Sequence, residues 1–555
     1  MKKIFKIQYL LLLMLGMSFT SCETTDLDLL DDPNNITLDK ANLDRYLTAI
    51  QLDFNGFIRG LGDRGAELTR IEYMFGRTYV NNYTPATLNS PWNTAYAGMF
   101  SDMKQAEEIA ATLGENKHLG VIKILKAYTL MTLVDFFGDV PYSQATQPVE
   151  FPSPTVDSGS SVYAAAINLI DEGISLLNQE GNTLENDFYY GNDFTKWIKA
   201  ANTMKMSAYL NTRLVDSDAV NKFNAIVNSG NWISSSTDDF QFQYGTNVAL
   251  PDTRHGAFNT DYSVTGAGSY RSNWLMDKML NDNDPRIRYY FYRQNECTPG
   301  NVAADGTPCP PNQETLICST QGRPQHFPPD MVFCSVASGY WGRDHGNAEG
   351  IPPDSFSRTV VGVYPAGGKF DGDEYNSVNI ESGGQGAGIN PVILASWAHM
   401  MIAEMNLASG NTGGAATHIQ HNLELSINKV MGFISLDPDA NSALAPSSGD
   451  VSSYIAGKIS DFNGADTNGK WNILAELEFV SQYGNGINAY NFYRRTGFPT
   501  SLQFNVEPSS GNFIRSFFYP SSEADVNSNI TQKPNVDVQV FWDNNPSSPG
   551  FPFAN

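Results

Sequence analysis

Leu119–Ala145 reads LGVIKILKAYTLMTLVDFFGDVPYSQA, and its reading decides the fold. From Leu119 to Phe137 the polar positions are only Lys123, Lys126, Thr129, Thr132 and Asp135, so apolar surface goes almost all the way round the helix it predicts. Such a helix must be covered on several sides. Two lysines and an aspartate argue against a bilayer span, which leaves a core helix. It stops at Gly138, which can take the left-handed conformation beyond a last turn, and at Pro141, which cannot continue a helix.

Further helices follow from apolar spacing on either side. Leu43, Tyr46, Leu47, Ile50 and Phe54 predict an amphipathic helix over 39–57. The stretch 59–89, rich in Gly, Arg and Tyr, reads as irregular. Ser90 then reads as an N-cap with Pro91 in the first turn of a helix reaching about Leu113. Helices at about 161–177 and 195–215 continue the series. From 216 to 391 the composition turns to Gly, Pro, Asn, Ser and Tyr, with a strand-like 240–244 and one helix near 272–280. Helices return at 391–408, 415–434, 451–459 and 471–483. A region as long as 216–391 with so little regular structure is uncommon unless it is functional.

The N-terminus reads as an export signal. Lys2, Lys3 and Lys6 precede the apolar run 7–17, and Phe19-Thr20-Ser21-Cys22 follows. That pattern predicts a signal peptide over 1–21, acylation of Cys22, and a lipid-anchored tether over 22–38. The body, 39–555, divides into a helical array (39–216), an irregular variable region (217–390) and C-terminal helices with a closing segment (391–555). Net charge of −24 and a pI near 4.6 argue against nucleic acid and against a polybasic membrane contact. The remaining cysteines, Cys297, Cys309, Cys318 and Cys334, all fall in one loop-rich stretch without zinc spacing, so disulfides are expected, with three pairings open.

Lys-Ala-Tyr at 126–128 followed by Val-Asp-Phe-Phe-Gly-Asp-Val-Pro-Tyr at 134–142 resembles the SusD/RagB family of Bacteroidetes outer-membrane lipoproteins. Asp284-Pro285-Arg286, Arg-Arg-Thr-Gly at 494–497, Tyr519-Pro520 and Trp542-Asp543 resemble further elements of the same family, whereas its Pro-Arg-Arg is reduced here to Ile514-Arg515-Ser516. The resemblance implies a mostly α fold of tetratricopeptide-like helix pairs with a large irregular ligand-binding region and few short strands. It also implies a lipid-anchored protein of the outer cell surface that binds a glycan and passes it to a SusC-like TonB-dependent transporter. Oligopeptide cargo and a lipid-anchored glycosidase are the alternatives.

A search for chemistry yields little. No carboxylate pair, G-x-S-x-G elbow or P-loop stands out, so no catalytic residue is assigned and no cofactor is called for. Asp371 and Asp373 carry oxygens at alternating positions that would suit a structural Ca²⁺, but the run lacks an EF-hand's glycine and final glutamate. His418 and His421 lie one helical turn apart with no third ligand in view, and read as surface or packing residues. Gly383–Gly388 reads as a loop. Sugar binding needs exposed rings flanked by polar groups. Two loops offer them: 59–89, with Arg64, Arg70, Tyr73, Arg77, Tyr79, Asn82 and Tyr83, and 339–345, with Tyr340, Trp341 and Arg343 between glycines. Arg70, Tyr73, Tyr83, Tyr340, Trp341 and Arg343 are the expected ligand contacts.

Overall fold

A computed structural model describes residues 42–349 and 352–545. The expected signal peptide, tether and acylated Cys22 lie outside the described residues. The chain divides into two units, Met1–Leu43 and Asp44–Asn555; the second is described below.

Its longer helices are α1 (Leu43–Leu68), α2 (Phe100–Leu113), α3 (Asn116–Phe137), α4 (Gly159–Leu177), α5 (Phe194–Thr212), α6 (Ala219–Ser229), α7 (Asn273–Asn281), α8 (Ala395–Ala408), α9 (Thr412–Gly432), α10 (Ser448–Gly464), α11 (Thr467–Ser481) and α12 (Ile487–Thr496). Successive helices pack as pairs: α2 on α3, α3 on α4, α4 on α5, α5 on α6, and later α8 on α9, α9 on α10 and α10 on α11. Four short strands are described, β1 (Phe240–Gln243), β2 (Phe291–Tyr292), β3 (Val360–Val361) and β4 (Ile389–Ile393). They form two antiparallel pairs, β1 with β4 and β2 with β3. The architecture is mostly α, with tetratricopeptide-like helix pairs and a loop-rich middle.

The helix α3 is covered on nearly every side, as its sequence demands, with its side chains from Val121 to Phe137 buried apart from the lysines. Its one buried acid, Asp135, ties the two halves of the chain together. The hydroxyl of Tyr163 donates to it, as do Asn491 Nδ2 at 2.7 Å and Trp542 Nε1 at 2.9 Å, while Arg494 donates to its carbonyl at 2.7 Å. Burial raises the Asp135 carboxyl above its usual range, and these donors act against that rise. At the helix end the Lys533 ammonium donates to the carbonyls of Phe137 and Phe517, each at 2.6 Å, capping the negative end of α3. Arg515, which stands where the family's Pro-Arg-Arg is reduced, is fully buried against Asp543 at 2.7 Å. Asp284 and Arg286 form a buried bidentate pair that also receives Tyr454 and reaches Ser426 on α9. These signature residues are thus structural clamps.

The structure corrects several expected boundaries. The first helix runs to Leu68 rather than to Phe57. Its glycines do not break it; they admit neighbours. A Cβ on Gly62 would lie 2.8 Å from the Asn485 side chain, and one on Gly65 would lie 2.4 Å from the Gly486 carbonyl. Ser90 is not an N-cap, because a 3₁₀ turn at Pro85–Leu88 already feeds the helix Asn89–Asn93, and a π-helical segment (Thr94–Met99) then leads into α2. Pro391 lies in β4 of a two-stranded sheet, where a missing N–H is tolerated, and α8 starts at Ala395. The expected strand over 240–244 is β1. Helices α6 and α12 had no counterpart in the sequence reading.

Candidate functional site

The continuation of α1 builds one wall of a cleft of about 480 Å³. Arg59, Asp63 and Glu67 follow one another at four-residue spacing and so share a face of the helix. The turn after α1 adds Glu72, Tyr73 and Phe75, and Arg271, Arg358 and Tyr483 close the far side. Phe75 stands 58% exposed at this cleft, although it is one of the larger apolar side chains of the protein. A ring so exposed beside a polar hollow can accept an apolar face.

Behind the surface the wall is braced in layers. Tyr270 meets Tyr73 edge-on at 5.8 Å between ring centres. The guanidinium groups of Arg358 and Arg343 lie 3.8 and 4.6 Å from the Tyr270 ring centre. Asp354 accepts from the Tyr270 hydroxyl at 2.9 Å, from Arg358 Nε at 2.7 Å and from Trp341 Nε1 at 3.2 Å. Tyr73 is fixed by donating its hydroxyl to the Asn347 carbonyl.

The carboxyls of the cleft are strained electrostatically. Burial raises Glu67 to about 7, aided by the nearby Asp63 and opposed by the 2.5 Å bond from the Tyr83 hydroxyl. Burial also raises Glu72 to about 7, opposed by Arg271 at 3.1 Å and aided by Asp63, Asp261 and Glu67. Arg271 is shared, reaching Asp261 at 3.3 Å as well. Burial lowers His255 to about 3, with Arg59 and Arg271 adding to the effect, so this histidine is neutral.

Of the six expected ligand contacts, Tyr73 lines the cleft. Arg343 and Tyr83 stand one layer behind it, touching Tyr270 and Glu67. Trp341 is two layers back. The expectation that Tyr340 and Trp341 are exposed is corrected: both are buried, at 3% and 4%. The reason is the pair of disulfides, Cys297–Cys309 and Cys318–Cys334, which fold the insertion onto itself so that Leu316, Cys318, Cys334 and Trp341 make a small core. Tyr340 packs under the Arg293 guanidinium at 4.9 Å, against a separate hollow. Arg70 is buried too; it turns the chain after α1 with φ of 62° and donates to the carbonyls of Leu68 and Gln503 and to the Tyr79 hydroxyl. Sequence reasoning missed Arg59, Asp63, Glu67, Glu72, Phe75, Arg271 and Arg358. The i, i+4, i+8 spacing of the first three was the available signal, hidden by ending the helix too soon.

Asp371 and Asp373 are engaged by Arg288 and Arg293, at 2.6 Å for Arg293 Nε to Asp371 and 2.8 Å for Arg288 to Asp373, so guanidinium groups meet the carboxylates that a cation would. Among the described residues, no group of three or more His, Cys, Asp or Glu is placed to hold a metal. His418 Nδ1 lies 2.8 Å from His399 Nδ1, a pairing of neutral rings in the packing of α8 against α9. Among the described residues no helix is long and apolar enough to cross a membrane.

Residues 61–320 match the SusD-like family, described as starch-binding and associating with the outer membrane. No curated protein matches the sequence. Among solved structures, a chitin-binding SusD homologue from Flavobacterium johnsoniae is 18% identical, with 91% of this chain and 100% of that chain covered and a TM-score of 0.60. A SusD homologue from Bacteroides fragilis is 17% identical over 91% of this chain and 99% of its own, with a TM-score of 0.62. A SusD/RagB family protein from Bacteroides thetaiotaomicron is 18% identical over the same shares, with a TM-score of 0.61. At such identities the likeness shows the fold. The family match over 61–320, the common fold and the signature residues that converge on Asp135 all point to the SusD-like family, which this chain resembles over that stretch.

Proposed function

We propose that this protein binds a glycan at the cell surface, in the cleft between α1 and the middle region, and delivers it to a partner TonB-dependent transporter of the outer membrane. The observation that carries the reading is Phe75 exposed beside Tyr73 over a hollow rimmed by Arg59, Asp63 and Arg358, because a sugar presents apolar C–H faces edged by hydroxyls. Starch and chitin as ligands of relatives support a saccharide as the cargo class. In this reading the protein is held on the membrane by acyl chains on Cys22 and performs no chemistry. Binding of the full chain to a glycan array, with Phe75→Ala as the comparison, tests it. Loss of array signal in the variant supports the cleft, whereas binding only to an oligopeptide library overturns the glycan cargo. Co-purification of a TonB-dependent transporter from the native membrane tests the partner, and mass analysis of the mature N-terminus tests the anchor.

One observation favours a second reading. Glu67 and Glu72, both raised to about 7, share the cleft, as the acids of a glycosidase do. Release of reducing sugar from a bound oligosaccharide by the native protein, abolished in Glu67→Gln, would favour that enzyme; intact oligosaccharide after prolonged incubation removes it.

A further inference from the structure

The charges of the cleft do not balance. From α1 come Arg59, Asp63, Arg64 and Glu67; the Arg64 guanidinium is held by the carbonyls of Gly60 at 2.6 Å and Thr87 at 2.7 Å and keeps its charge near Asp63 and Glu67. The turn after α1 adds Glu72, and the middle region adds neutral His255, Asp261, Arg271 and Arg358. The segment after α11 brings only Tyr483 and Gly484. Arg358 is matched by Asp354 at 2.7 Å, and Arg271 is divided between Glu72 and Asp261. Arg59 reaches the exposed Asp63 only at 3.9 Å, and the Glu67 carboxylate is met by the neutral hydroxyl of Tyr83. With Arg358 set against Asp354, the four carboxyls of Asp63, Glu67, Glu72 and Asp261 therefore face the three guanidinium groups of Arg59, Arg64 and Arg271, beside the open ring of Phe75.

We propose, resting on the glycan reading above, that the saccharide selected here carries a free amino group, whose ammonium sits among Asp63, Glu67 and Glu72 while a ring face lies on Phe75. An ammonium in a partly dehydrated hollow gains charge-assisted hydrogen bonds that a hydroxyl or an acetamide does not. It also relieves the repulsion among neighbouring carboxylates that helps to raise Glu67 and Glu72. Cation binding draws both carboxyls back toward ionisation and expels protons. The pH profile of affinity is therefore a bell: it rises as the glutamates ionise and falls as the sugar amine loses its proton above neutrality.

Calorimetric titration of the full chain with glucosamine oligomers, their N-acetylated counterparts, glucose oligomers of equal length and a lysine-containing oligopeptide tests the inference. The amino oligomer is expected to bind about tenfold more tightly than either neutral saccharide, with the gap narrowing at high salt. Asp63→Asn, at the exposed mouth, is expected to shrink that preference with unchanged Tm, and Glu67→Gln to shrink it further. Equal binding of all three saccharides overturns amine selection and leaves the glycan reading standing. A preference unchanged in both variants overturns the assigned place of the ammonium. Binding of the peptide alone overturns the glycan reading and this inference with it.

Discussion

Asp135 and Glu67 are both acids on helices, both raised by burial and both hydrogen-bonded by a tyrosine, yet they do opposite things. Around Asp135 the chain brings Tyr163, Asn491 and Trp542 and leaves no open side. Around Glu67 it brings Tyr83, Asn82 and the charge of Arg64 on one side and leaves the other to a hollow. The carboxylate completed by its own chain holds the fold, and the one left incomplete is available to something else. The signature of the family belongs to the first kind. The cleft belongs to the second.

That contrast is broken most forcefully at Asp135. Asp135→Ala leaves three donors of the buried knot without an acceptor and is expected to cost about 3–5 kcal/mol by denaturant unfolding, whereas Glu67→Ala costs about 1 kcal/mol because water reaches the vacated side. The seam between the two regions is sharpened by Gly65→Ala. Its new methyl would meet the Gly486 carbonyl, beside Gly484 and Tyr483 of the cleft wall, and a loss of about 1–3 kcal/mol with weakened binding is expected. Phe75→Ala tests the cleft alone: ligand affinity is expected to fall about tenfold with unchanged Tm. The smallest expected effect is on pH dependence. Because Glu67 and Glu72 ionise near 7 in the folded chain and near their ordinary 4.5 when unfolded, the folded state holds extra protons between those values. Their contribution to stability is full below about 4.5 and is lost as pH rises through about 7; Glu67→Gln is expected to flatten that decline in Tm.

What was legible in the sequence was whatever a single segment decides. The apolar circumference of α3 announced its burial, and clustered cysteines announced disulfides, though only the folded chain fixes Cys297 with Cys309 and Cys318 with Cys334. The cleft was less legible because its walls come from distant parts of the chain: Tyr73 meets Tyr270, and Tyr483 closes the far side. Aromatic rings between glycines pointed to Trp341, which is buried and braces the cleft wall through Asp354. Local sequence showed no sign of that depth, because the residues that cover Trp341 come from other segments. Glycines in 59–65 looked like breaks because local propensity says so, whereas tertiary approach of Asn485 and Gly486 required them within a helix.

The two disulfides bear on how the protein should be produced. Each closes a short circuit, with 12 and 16 residues of separation, and each link contributes about 3 kcal/mol locally by constraining the unfolded loop. Cys334 packs against Trp341, and Trp341 steadies the acid that holds Tyr270. Material made in a reducing host cytoplasm would then keep its helical body and circular dichroism while the wall of the cleft slackens, so a batch that passes every folding check can still fail the binding assays that test the proposed function.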